Sequence, residues 1–94
     1  MATYIMLSRL TDQGAETIKE NPGRIQAVTK ELEQFGVKVV AQYAVLGPFD
    51  FVSVIEAPDN MTVVRVSAEL ASRGTVRIQT LPAVPINEFV AKFK

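Results

Sequence analysis

From Val37 to Ala57 the chain reads VKVVAQYAVLGPFDFVSVIEA, two Val-rich runs flanking Gly47-Pro48-Phe49-Asp50. Apolar β-branched runs around a Gly-Pro turn predict a β-hairpin. Its two faces are both oily. Val39, Ala41, Tyr43 and Val45 alternate with Val40, Ala44 and Leu46, so the wet-outside, dry-inside pattern of a half-exposed strand is missing. Each face needs a cover, and a chain of 94 residues has few other elements to supply one. Self-association is the first expectation.

Composition points the same way. One domain spanning residues 1–94 is expected at this length, hiding about 60 to 65% of the surface that its unfolded chain exposes. Hydrophobic residues make up 48% of the chain, more than one thin core needs, which favours a buried subunit interface. Ten basic and ten acidic residues give zero formal net charge. They form no Lys/Arg block, so the long-range attraction to a phosphate backbone is missing and no nucleic-acid partner is expected. Cysteine and histidine are both absent. That removes thiolate nucleophiles, disulfides, thiolate-bound zinc and an axial imidazole for haem, so neither a metal nor a cofactor is expected. Met1-Ala2-Thr3-Tyr4 does not start a signal sequence, and no apolar run approaches membrane-spanning length. A cytoplasmic protein without membrane contact is the default.

Along the chain, Thr3 to Leu10 predicts a strand through its run Tyr4-Ile5-Met6-Leu7. Thr11 predicts a helix cap, with Asp12 in the first turn of a helix reaching about Glu20. Asn21-Pro22 predicts a second start, with Asn as cap and Pro first in the helix. Ile25, Val28, Leu32 and Phe35 are its apolar stripe and Gly36 its left-handed stop. Hairpin strands follow at Val37–Leu46 and Asp50–Ala57. Asp59 predicts the cap of a helix from Asn60 to about Ser72, Gly74 its end, Thr75–Leu81 a last strand and Pro82 the end of that strand. In the tail, Ile86, Phe89, Val90 and Phe93 have helical spacing, and Phe35, Phe89 and Phe93 are expected to form a seam that locks tail to body.

The predicted order, β-α-β-β-α-β with a tail, is that of an α+β, ferredoxin-like fold: helices on one face of an antiparallel sheet. The other face would be left as an apolar patch at or above the size soluble monomers expose. A second copy packed face to face is the simplest cover. With Ile5, Leu7, Val39, Ala41, Val52, Val54, Val76 and Ile78 placed under the helices, alternation sends Tyr4, Met6, Ser8, Gln42, Ala44, Ser53, Arg77 and Gln79 to the other face. A dimer closing over that mixed set encloses either a satisfied polar network or a small-molecule pocket.

Three stretches carry a family resemblance: Tyr4-Ile5-Met6-Leu7 with Thr11-Asp12-Gln13-Gly14, Gly47-Pro48-Phe49-Asp50 leading into Val52, and Glu56-Ala57-Pro58-Asp59. Together they resemble the GYD domain family, small bacterial and archaeal proteins named for a Gly-Tyr-Asp motif. Phe49, preceded by Pro48, stands at the motif's tyrosine, keeping the aromatic bulk and the acid without the phenolic hydroxyl. The resemblance implies a dimeric α+β barrel and no particular reaction. The hairpin and Glu56-Ala57-Pro58-Asp59 are also similar to the effector-binding domain of leucine-responsive regulators, which implies amino-acid binding between subunits. This chain has no helix-turn-helix portion.

Six residues are candidates for a ligand site. Asp50 is placed to act as a base or hold a ligand amine; alternatively it is a turn acid bonded to the amides of Gly47 to Phe49. Phe49 walls a pocket or packs in an interface. Arg77 and Gln79 suit a carboxylate, the planar guanidinium beside an amide donor; a salt bridge from Arg77 to Glu56 or to a partner chain is the alternative. Gln42 and Ser53 line the same cavity or serve structural hydrogen bonds. Tyr4 and Tyr43 are read as core aromatics, and Arg9, Lys19, Arg24 and Lys30, interleaved with glutamates, as solvated surface. No nucleophile is paired with a base, and no phosphate-cradling loop is present. The reading is a homodimer, or a larger ring of dimers, binding a small organic molecule. The alternatives are a stand-alone effector module and a cofactor-free enzyme of the barrel type.

Overall fold

The computed structural model describes residues 1–93. The chain forms β1 (Ala2–Leu10), α1 (Asp12–Glu20), α2 (Arg24–Gln34), β2 (Lys38–Ala44), β3 (Phe51–Ala57), α3 (Asn60–Ala71), β4 (Val76–Ala83) and α4 (Ile86–Ala91). The strands make one antiparallel sheet in the order β2-β3-β1-β4, consistent with the ferredoxin-like arrangement. The first and third strands lie side by side in its centre.

Two helix starts follow the cap logic. Thr11 accepts from the Gly14 amide at 3.1 Å, and Asp59 accepts from the Thr62 amide at 2.9 Å and its hydroxyl at 2.8 Å. Those two bonds hold the Asp59 carboxyl below its ordinary pKa. The start of α2 departs from expectation. Asn21 and Pro22 form a turn whose carbonyls accept from Arg24 at 3.0 Å and Ile25 at 3.2 Å, so the helix begins two residues later behind Gly23. β4 also continues through Pro82, which pairs with Tyr4. Among the described residues its other edge has no neighbour, and an edge strand tolerates the missing amide hydrogen.

The core lies between the helices and one face of the sheet: Tyr4, Met6, Ile55 and Ala57 from the strands, Leu32 from α2, Val63, Val66 and Leu70 from α3, and Val37. The expected face assignment is therefore reversed for β1 and β3. Tyr4, Met6 and Ser53 point under the helices, and Ile5, Leu7, Val52 and Val54 occupy the opposite face. β4 keeps the expected sense, Val76 and Ile78 inward, because Leu10 pairs with Val76 and Ser8 with Ile78. β2 carries an irregularity between Val39 and Ala41. That extra residue lets both Val39 and Gln42 lie on the helix side.

No helix covers the second face. Its rows read Ala41, Val54, Ile5, Leu81 and Tyr43, Val52, Leu7, Gln79 across the four strands, with Tyr43 61% and Leu81 44% exposed. The tail departs from expectation too. α4 forms but buries none of its residues; Phe35 packs on the core, whereas Phe89 and Phe93 pack on each other with ring centroids 4.9 Å apart. A helical period specifies an apolar face without specifying what that face meets. With tail and hairpin tip both projecting, the radius of gyration is 14.1 Å, above the roughly 12 Å of a compact chain this long.

Candidate functional site

The six expected site residues fall in three places. Phe49 and Asp50 sit at the hairpin turn. The Asp50 carboxylate accepts from the Leu10 amide at 2.8 Å, while its backbone amide donates to the Ser8 carbonyl at 2.8 Å and its carbonyl accepts from Val45 at 2.9 Å. Asp50 thus fastens the hairpin to the end of β1, using a neighbouring strand's amide rather than those of its own turn. Arg9 completes the corner. Its Nε donates to the Pro48 carbonyl at 2.9 Å, and its guanidinium carbon stands 5.8 Å from the centre of the Phe49 ring, within cation–π range.

Arg77 and Gln79 lie on the uncovered sheet face, opposite Arg9 and Leu7 of β1. Gln42 and Ser53 are cross-strand partners on the helix side of the sheet, Ser53 buried and Gln42 exposed on the edge strand β2. They line a cavity of about 140 Å³ between the sheet and the α1–α2 layer. Its floor also carries Met6, Ser8 and Ile78, and its walls are Ile18, Ile25, Val28, Leu32 and Leu70. Serine at positions 8 and 53 follows from strand alternation, since each stands two residues from the buried Met6 or Ile55.

The polar groups of this cavity differ in how far they are satisfied. Ser53 is 5% exposed, and no side-chain hydrogen bond to its hydroxyl occurs among the described residues. The Gln42 amide oxygen accepts from the Thr29 hydroxyl at 3.3 Å, leaving the NH₂ group as donor. Arg73 at the rim grips Glu31 through both guanidinium nitrogens and reaches Glu69 at 3.3 Å. Hydrogen bonding to Arg73 holds the Glu31 carboxyl below its ordinary pKa and raises that of Arg73. Arg24, the first residue of α2, also lines the cavity. Sequence reasoning places it on the solvated surface, and its proximity to the cavity depends on how α2 packs.

The lining holds no carboxylate, thiol or imidazole among the described residues, so this enclosure offers apolar contact and hydrogen bonding rather than a base. Among the described residues no three acidic side chains gather as metal ligands, and no helix is long and apolar enough to cross a membrane.

Known proteins resemble this chain along its whole length. A protein of Thermus thermophilus, named glutamine synthetase and cystathionine beta-lyase binding protein, is 58% identical over 95 aligned residues covering all of both chains. The crystal structure of TTHA0845, also from Thermus thermophilus, matches the fold with a TM-score of 0.57 at 25% identity, over 90% of this chain and 95% of that one. The family model of the GYD domain matches residues 4–92, and with Tyr4 near its start, the Phe49-Asp50 corner in its middle and α4 near its end, this chain belongs to the GYD domain family.

Proposed function

We propose that the protein is a homodimeric binding module: two copies close over their uncovered sheet faces into a dimeric α+β barrel, and each keeps its helix-side cavity for a small organic molecule. The observation that carries this reading is the uncovered face itself. Ile5, Leu7, Val52, Val54 and Leu81 form one contiguous patch across three strands, and an apolar patch of this kind on a small protein marks an interaction surface. A two-fold axis parallel to the sheet, in the plane between the two faces, makes the patch self-complementary.

The name of the 58% identical Thermus protein supports a further part of the proposal: the dimer docks on an enzyme of the glutamine synthetase or cystathionine β-lyase kind. Small-molecule binding is supported by the half-satisfied polar floor of the cavity.

Light scattering at micromolar concentration tests the assembly. A mass near twice the 10.3 kDa chain is expected, and Val54→Lys should return it toward one chain while leaving the helical spectrum intact, because a lysine in the patch centre cannot be desolvated there. A stable wild-type monomer refutes the dimer. Co-elution with purified glutamine synthetase or cystathionine β-lyase tests the docking, and its absence for both enzyme kinds refutes that part alone.

A further inference from the structure

We infer that the helix-side cavity takes a small branched-chain or aromatic α-oxo acid, and selects it over the corresponding amino acid. The inference rests on the small-molecule reading above and adds to it the chemical class of the ligand.

Size and walls set the body of the molecule. The half-open cavity has a volume of about 140 Å³, similar to the roughly 150 Å³ of a closed apolar cavity that holds benzene and well below what drug-sized ligands need. Ile18, Ile25, Val28, Leu32 and Leu70 fit a branched aliphatic chain or a single ring.

The floor sets the neutral polar contact. Ser53 is more than nine-tenths buried and lines the cavity with a hydroxyl unbonded among the described residues. Among the described residues the one fully buried side-chain polar atom without a partner is Thr80 Oγ1; the Ser53 oxygen instead opens to the cavity, where it can donate to a ligand oxygen in place of water. Gln42, its cross-strand partner, adds NH₂ donors. Both suit a carbonyl, which accepts only.

Charge selects the head group. Both charged residues of the lining are arginines, Arg24 and Arg73. Arg73 is committed to Glu31 and Glu69, whereas Arg24 has no side-chain hydrogen bond or ion pair among the described residues. Arg24 also opens α2, where the helix dipole adds positive potential, although the Arg24 and Ile25 amides are already taken by the preceding turn. A carboxylate is favoured at that mouth. An ammonium is not: of the two nearby carboxylates, Glu31 engages Arg73 with both oxygens and Glu69 reaches the same guanidinium, and burying a cation without a free carboxylate partner is costly. An α-oxo acid keeps the carboxylate and replaces the ammonium with the oxygen that Ser53 can meet.

The matched pair α-ketoisocaproate and leucine tests this, titrated into the full chain with amide NMR shifts as readout. The oxo acid should shift the amides of Ser53, Ser8 and Gly14 and bind at least about tenfold more tightly than leucine, a gap of roughly 1.4 kcal/mol. Ser53→Ala and Arg24→Gln should each weaken it about three- to tenfold. Arg24 is exposed, so its replacement keeps the test valid even if the serine variant folds poorly. Leucine binding as tightly as the oxo acid, or affinity unchanged in Arg24→Gln, overturns the assigned class while the cavity remains a site. If neither compound binds at about 10 mM, or the shifts map to Ile5, Val54 and Leu81, the small-molecule reading of this cavity fails as well.

Discussion

Replacing Gly14 by alanine should loosen the corner that holds α1 against the sheet. A β-carbon built on Gly14 falls 1.9 Å from the Thr75 carbonyl oxygen and 2.9 Å from its carbon, inside the repulsive wall, and the obstacle is backbone rather than a flexible side chain. Helix and turn must separate by about 1 Å or more to reach ordinary contact. Two bonds stand in the way. The Thr11 amide donates to that same Thr75 oxygen at 3.0 Å, and the Thr11 hydroxyl donates to the Gly74 carbonyl at 2.7 Å. Overpacking a fitted site is unfavourable by about 1–3 kcal/mol and each weakened bond by about 1 kcal/mol, against a gain of about 1 kcal/mol in helix propensity from Gly to Ala. The net loss is about 2–4 kcal/mol, or roughly 8–32 °C in Tm for a domain of this size. Circular dichroism melts at one fixed protein concentration measure it, since the proposed self-association would make Tm concentration-dependent. A variant as stable as the parent, or more so, means that the helix-propensity gain prevails and the close approach of α1 to Thr75 is wrong. Because Gly14 and Thr75 both line the cavity, the same variant should also weaken any ligand held there.

The corner acid gives a second expectation: Asp50→Ala leaves the Leu10 amide without its acceptor and should reduce unfolding free energy by about 1–3 kcal/mol in urea, whereas an unchanged midpoint would mean that the carboxylate is free for another role. Asp59→Ala should lose about 1 kcal/mol with the α3 cap, and Asp59→Asn should recover most of it; equal losses in the two variants would refute the cap. Acid should destabilise the fold through Glu31 and Asp59. Glu31 and Asp59 have folded pKa values below their ordinary ones, so their contribution is complete above the unfolded carboxylate values and disappears as pH falls through the folded ones. Urea midpoints should therefore drop between about pH 5 and pH 2, with a smaller drop in Arg73→Ala; identical profiles would remove Arg73 as the cause.

Much of the fold was legible because local chemistry and global position agree. Thr11 and Asp59 cap helices, and Gly36 and Gly74 end them with φ of 83° and 76°, values that a β-carbon disfavours. The failures have equally local causes. The Asn21 and Pro22 carbonyls accept from the Arg24 and Ile25 amides in a turn before α2 starts, so a valid start signal is consumed two residues early. Pro82 is a strand breaker only where an amide is needed, and the outer edge of β4 needs none. Of the site candidates, Asp50 carries the sequence signal of a turn acid, but its acceptor role extends across the sheet to Leu10, a pairing set by the β1–β3 register. Arg24 carries no sequence signal that separates it from the other exposed cations, because its place at the cavity mouth arises from the packing of α2.

The reversed faces of β1 and β3 expose a limit in period-two reasoning and also why the larger inference survives it. Within the first three strands, alternation puts Tyr4, Met6, Ser8, Gln42 and Ser53 on one side together, and they do share one. It cannot say which group meets the helices when both are apolar. Tyr4 and Met6 bury as much as Ile5 and Leu7 would, and Tyr4 has the advantage that its hydroxyl reaches the Asn60 side chain at 2.6 Å at the start of α3. The tyrosine side therefore goes inward, and the smaller β-branched residues are left outside. The reversal moves the polar floor of Ser8, Gln42 and Ser53 from a subunit seam into the protomer and makes the remaining sheet face more uniformly apolar. A surplus of apolar area does not depend on that choice, because it follows from the total carried by the strands. The cavity and the proposed interface, which alternation alone merged into one chamber, thereby fall on opposite sides of the sheet, so that the substitution Val54→Lys should abolish dimers while leaving α-ketoisocaproate binding within about twofold.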